Sequence, residues 1–93
     1  MSSLVRKSLR FYGEVQGVGF RYRAKRAAVM LGLTGNVHNE WDGTVYMEVQ
    51  GGEEQIRELL DILKDSPFIR IEGLETKILE PVPGERSFRV QGY

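Results

Sequence analysis

The stretch GEVQGVGFRYRAKRAA, Gly13 to Ala28, changes its apolar period part-way along. Upstream, Leu9, Phe11 and Val15 alternate with Ser8, Arg10, Tyr12 and Glu14. A period of two marks a half-buried strand. Gly13 falls on the apolar side, where a glycine marks close backbone approach or a bulge. From Phe20 the pattern becomes helical: Phe20, Ala24, Ala27, Ala28 and Leu31 share one face, and Gly32 stands where a helix C-terminus favours glycine. Between strand and helix lies a glycine-rich turn. Glycine is entropically costly to order, so the turn implies a need for exposed backbone.

Working outward, LTGNVHNEWDGTVYMEVQ reads as a hairpin. Asp42-Gly43 is its turn signal, and Val45, Met47 and Val49 alternate with Thr44, Tyr46 and Glu48. GGEEQIRELLDILKDSP predicts a second helix with an apolar stripe of Ile56, Leu59, Leu60 and Leu63. Glu53 and Glu54 in its first turn and Lys64 in its last suit the helix dipole, and Ser66-Pro67 ends it. Ile69 and Ile71 begin another strand. Leu74, Thr76 and Ile78 carry the opposite parity, which predicts a bulge at Glu72-Gly73. After the loop EPVPGE, Phe88 and Val90 make a short last strand. The order is βαββαβ plus that terminal strand. It predicts an α+β, ferredoxin-like sandwich: an antiparallel sheet with two helices on one face. No linker or repeat divides the chain, so residues 1–93 are expected to form a single domain.

Composition narrows the chemistry. The chain has 93 residues, 41% of them hydrophobic and 28% charged, as in ordinary globular proteins. It has no cysteine and one histidine, His38, which excludes disulfides, thiolate zinc sites and a histidine-rich metal centre. The apolar runs are too short to span a bilayer, and the charged start MSSLVRKSLRF does not read as a signal peptide, so a cytoplasmic protein without membrane contact is expected. Net charge is zero but uneven: residues 1–26 carry seven basic side chains and one acidic, the remainder six and twelve. That asymmetry suits a local anion site better than a broad nucleic-acid surface.

The turn is where such a site belongs. A helix N-terminus offers unpaired N–H groups and the positive end of the helix dipole. Gly17 and Gly19 allow those groups to converge, and Arg21 adds a planar cationic fork. The local physics therefore gives an anion cradle, suited to a phosphate, alongside the plainer alternative of a structural turn. No Gly-Lys-Ser/Thr follows, so it is not a nucleotide P-loop, and G-x-G-x-x-G is absent.

GEVQGVGFR (13–21) followed by GNVHNEWDGTV (35–45) resembles the two signature segments of the acylphosphatase family, and length and element order fit over nearly the whole chain. The resemblance implies hydrolysis of the carboxyl–phosphate bond of small acylphosphates, with no metal and no organic cofactor. It implies that the loop N–H groups of Gln16, Gly17, Val18, Gly19, Phe20 and Arg21 hold the phosphate, that Arg21 binds it by its side chain, and that Asn39 orients the attacking water. Inorganic phosphate is then an expected product inhibitor, and a monomer acting on a small molecule, without nucleic acid, is expected. A carboxamide can orient water without being a base. His38, on the opposite side of its strand from Asn39, is expected not to be catalytic. Asp42 is expected to shape the turn, Trp41 to pack in the loop or partly cover it, with a substrate contact as the alternative, and Arg23, Lys25 and Arg26 to form a solvated face with a secondary role in steering anions. The sequence departs from the family pattern at Asn36, where tryptophan is common, at His38, where another basic residue is, in SPFIRIEG, and in the terminal VQGY. Two rival readings remain: an RNA-binding module, from the partial likeness of QGVGFRYR to an RNP1 segment, and a catalytically idle accessory domain.

Overall fold

The structure, a computed structural model, describes residues 4–92. The first three residues of the charged N-terminal stretch and Tyr93 of VQGY lie outside the described residues. The chain runs β1 (Val5–Glu14), α1 (Phe20–Met30), β2 (Thr34–Asn39), β3 (Val45–Gly51), α2 (Glu53–Lys64), β4 (Arg70–Leu79) and β5 (Phe88–Gln91). The five strands form one sheet in the order β4-β1-β3-β2-β5. Leu9, Phe11, Val37, Val45, Met47 and Val49 supply the buried side of the sheet. Phe20, Ala24, Ala27 and Ala28 of α1 and Ile56, Leu59 and Leu63 of α2 close over it. Alternation in the strands and the helical stripes thus meet on one face. Leu60 lies at the margin of the core, only partly buried. No helix among the described residues is long and apolar enough to cross a membrane.

Helix α1 ends as Gly32 requires. Gly32 adopts φ +74°, its N–H donates to Val29 O at 3.2 Å, and Leu33 N–H donates to Ala28 O at 2.8 Å. This paired closure satisfies two carbonyls that the helix would otherwise leave open. The irregularity expected at Glu72-Gly73 is present: Tyr12 pairs with Gly73 and Gly13 with Ile71, leaving Glu72 as the extra residue. Gly13 marks close approach, since a Cβ there would come within 2.3 Å of the Arg70 carbonyl oxygen.

One expectation is corrected. The sheet is mixed, not antiparallel throughout: β5 runs parallel to β2, with Gly35 opposite Phe88 and His38 opposite Gln91. The cause lies in where β4 stops. Its last residue, Leu79, pairs with Arg6, beside Gln50, at the end of the sheet where β2 begins with Thr34. The following loop then crosses the open face of the sheet. Gln50 Oε1 accepts from Val82 N–H at 2.7 Å, Gln50 Nε2 donates to Val82 O at 3.0 Å, and Arg6 pairs with Glu85 at 2.8 Å. A chain arriving at the start of β2 can extend only in the direction of β2. The result matters for function, because it carries Gln91 and Gly92 toward Asn39.

Candidate active site

Residues 15–19 connect β1 to α1, and their side chains alternate in role. Val18 packs partly against the core, and Phe20, 2% exposed, meets the Phe11 ring edge-on at 4.8 Å. Gly17 and Gly19, which alternate with these anchors, are exposed and adopt φ +74° and +79°. Gly19 is the N-cap of α1 and provides no side-chain cap, and the first turn of α1 contains no acidic residue. The first N–H groups of α1 therefore face outward without a side-chain partner from the cap, at the positive end of the helix.

A Cβ at Gly17 or Gly19 would meet nothing within 4 Å. Replacement by alanine consequently strains the backbone without a clash, at a cost of about 1–2 kcal/mol for a left-handed conformation. Gly17→Ala and Gly19→Ala are expected to fold yet lose roughly tenfold in kcat/KM, the equivalent of that strain when it disorganises the loop. Kinetics and phosphate affinity on both variants check this. Normal values in both would show that the backbone of the loop is not a ligand.

Asn39 ends β2 opposite Val45, on the same side of the strand as buried Val37. A cleft of about 380 Å³ opens there, lined by Gln16, Asn39, Glu40 and Gly92. Arg21, in the first turn of α1, reaches the same neighbourhood: its Nη1 donates to Gln91 O at 3.1 Å and lies beside Gly92. The parallel β5 thus brings Gln91 and Gly92 between Arg21 and the Asn39 cleft. In the sequence Gln91 and Gly92 stand out only as part of VQGY, a departure from the family pattern, because nothing in a short apolar alternation gives strand direction.

The β2–β3 connection is a five-residue turn, Glu40 to Thr44. Glu40 N–H donates to Thr44 O at 2.8 Å and Gly43 N–H to Glu40 O at 3.2 Å. Asp42 shapes it as expected: its Oδ1 accepts from Thr44 N–H at 3.0 Å and from Thr44 Oγ1 at 2.7 Å, and these bonds hold its carboxyl below the usual carboxylate range. Trp41 departs from expectation. It is 97% exposed, so it is not packed in the loop.

His38 lies on the open face of the sheet, with Nε2 3.0 Å from Glu40 Oε2 and its ring near Tyr46. Arg10 reaches Glu40 Oε1 at 3.1 Å and Thr44 Oγ1 at 3.0 Å, and the bond to Glu40 raises its pKa. His38 and Arg10 lie on the face opposite Asn39, and Glu40, which also borders the Asn39 cleft, joins them. His38→Ala is therefore expected to leave kcat within a few-fold of the parent, whereas an effective general base contributes about 10²–10⁴-fold. A loss in that larger range, with the fold intact, would make His38 catalytic.

Among the described residues no group of three or more His, Cys, Asp or Glu side chains is placed to hold a metal ion. Of the two aromatics in QGVGFRYR, Phe20 is buried and Tyr22 is exposed, but both lie in the first turn of α1 and not on a central strand, where RNP1 aromatics stand. Arg23, Lys25 and Arg26 are exposed, as expected.

A family model described as Acylphosphatase matches residues 7–90. The chain belongs to the acylphosphatase family. It is 42% identical over 89 residues to an acylphosphatase of Thermococcus kodakarensis, covering 95% of this chain and 97% of that one. It is 39% identical over 83 residues to an acylphosphatase of Caldanaerobacter subterraneus subsp. tengcongensis, covering 88% and 92%. The crystal structure of acylphosphatase from Bacillus subtilis superposes with a TM-score of 0.86 at 28% identity, over 95% of this chain and 99% of that one. The acylphosphatase assignment makes the chain a member of an enzyme family, and both signature segments, 13–21 and 35–45, lie inside the matched region.

Proposed function

We propose that this chain hydrolyses the carboxyl–phosphate bond of small acylphosphates, giving a carboxylate and inorganic phosphate, without a metal ion. The observation that supports it is the convergence of an uncapped, positive-φ loop and Arg21 with Asn39 around Gly92. In this reading the N–H groups of Gln16, Gly17, Val18, Gly19, Phe20 and Arg21 surround the phosphoryl oxygens, and the Arg21 guanidinium binds them from the side. Asn39 holds a water by its carboxamide. The water oxygen bonds to phosphorus, the phosphorus–oxygen bond to the acyl group breaks, and the carboxylate leaves with the electron pair. The proton from water passes to a phosphate oxygen. No protein base is required, because the carboxylate is a good leaving group, and positioning with charge stabilisation supplies the rate. The proposed enzyme is a cytoplasmic monomer acting on a small molecule, with neither nucleic acid nor membrane as partner.

The test is hydrolysis of a chromophoric acylphosphate in EDTA, with inorganic phosphate as inhibitor. Hydrolysis should persist in EDTA, and phosphate should inhibit competitively and raise the melting midpoint by mass action relative to a neutral-salt control. Hydrolysis only with added divalent metal would contradict the mechanism. Noncompetitive inhibition with an unchanged midpoint would contradict the phosphate cradle.

A further inference from the structure

The side chain of Gln16 makes a connection that a phosphate loop does not need for binding phosphate. Its Nε2 donates to Glu40 O at 2.7 Å and to Thr44 O at 2.9 Å. Both partners are carbonyl oxygens, which only accept, so the amide nitrogen must face them and both of its hydrogens are used. These two carbonyls bracket the turn that directly follows Asn39. Glu40 O also accepts from Gly43 N–H, and Glu40 N–H donates to Thr44 O. The amide therefore clips the mouth of the turn, and it does so from within the loop that carries Gly17 and Gly19. Loop and hairpin lie 24 and 28 positions apart along the chain at these two bonds.

We propose that Gln16, through its side chain, is a positioning residue that sets the distance between the phosphoryl group in the loop and the water held by Asn39. The proposal rests on the acylphosphatase reading of the site and adds to it a second role for Gln16, distinct from that of its backbone N–H. In-line attack depends steeply on this distance, and a misplacement of about 1 Å can cost on the order of 10²-fold in rate. Phosphate binding does not depend on it, because the cradle and Arg21 lie on one side of the connection and Asn39 on the other. Arg10 holds Glu40 and Thr44 from the open face, so the hairpin keeps its form without Gln16 while losing its register to the loop.

The experiment is a double-mutant cycle on an active parent, read by hydrolysis of a chromophoric acylphosphate and by inhibition with inorganic phosphate. Gln16→Met keeps length and removes both donors. It should lower kcat by roughly 10- to 10²-fold while the phosphate inhibition constant moves less than about two-fold. In an Asn39→Ala background the same change should cost less than about two-fold, because a residue acting through Asn39 has nothing left to position. A full kcat loss in that background, a parallel loss of phosphate affinity, or an unchanged kcat with only a lower melting midpoint would each overturn the proposal. Gln16→Glu provides a second variant should Gln16→Met fail to fold. A carboxyl donates only when protonated, so its kcat relative to the parent should rise as pH falls through the carboxyl range, and a flat ratio would count against the proposal. An inactive parent would overturn the acylphosphatase reading and this proposal with it. An active parent with an indifferent Gln16 overturns this proposal alone.

Discussion

Asn39→Ala is expected to lower kcat by about 10²-fold or more, by analogy with loss of one positioned catalytic donor, while inhibition by inorganic phosphate stays nearly unchanged. The reasoning follows from what each ligand requires. Substrate turnover needs a water held in line with the phosphorus. Inorganic phosphate bound in the loop needs no such water. A group that acts only as the transition state forms changes rate without changing ground-state affinity. The place of Asn39 suits this: it ends β2 at the cleft shared with Gln16 and Gly92, and it lies outside the loop of residues 16–21. The measurement is kcat and the phosphate inhibition constant on a variant shown by circular dichroism to be folded. Severe loss of phosphate affinity would make Asn39 part of the binding loop.

Arg21→Gln is expected to behave differently, with phosphate affinity and turnover falling together. A hydrogen bond to a charged group is worth about 1.5–3 kcal/mol, so inhibition should weaken by roughly 10- to 10²-fold. Turnover should fall as well, because charge on the phosphoryl oxygens persists into the transition state. Glutamine keeps some hydrogen-bonding capacity and much of the length but loses the permanent charge and the fork. The guanidinium is already oriented in the free protein by its 3.1 Å bond to Gln91 O. Truncating the chain after Arg89 removes that support and should move Arg21-dependent phosphate affinity in the same direction. Arg21→Gln with full phosphate affinity would remove the side chain from the cradle.

Much of this arrangement is legible in the sequence, for local reasons. The change of period at Phe20 places the loop at a strand–helix junction, because a buried face must follow each element's own repeat. Parity slipping at Glu72 marks the bulge for the same reason. Asp42-Gly43 announces the turn, and the turn positions Asn39. What was not legible depends on contacts distant in sequence. Periodicity does not encode direction, so the parallel course of β5 had to come from where β4 ends and how Gln50 and Arg6 hold the crossing loop. The Gln16 side chain was hidden for a related reason: its two partners are backbone carbonyls, which have no sequence signature. Trp41 misled because a large aromatic in a turn is ordinarily packed, and here it is not.

The central claim is that the backbone of residues 16–21 is the phosphate ligand and that catalysis is organised around it. An amide NMR titration of the parent with inorganic phosphate tests it most directly, with sodium chloride of equal ionic strength as control. The account predicts saturable shifts concentrated at the N–H groups of Gln16 to Arg21 and at the Arg21 side chain, with little change on the open face around Arg10, His38 and Tyr46. Shifts concentrated on that open face, with Gly17 and Gly19 unmoved, would contradict it.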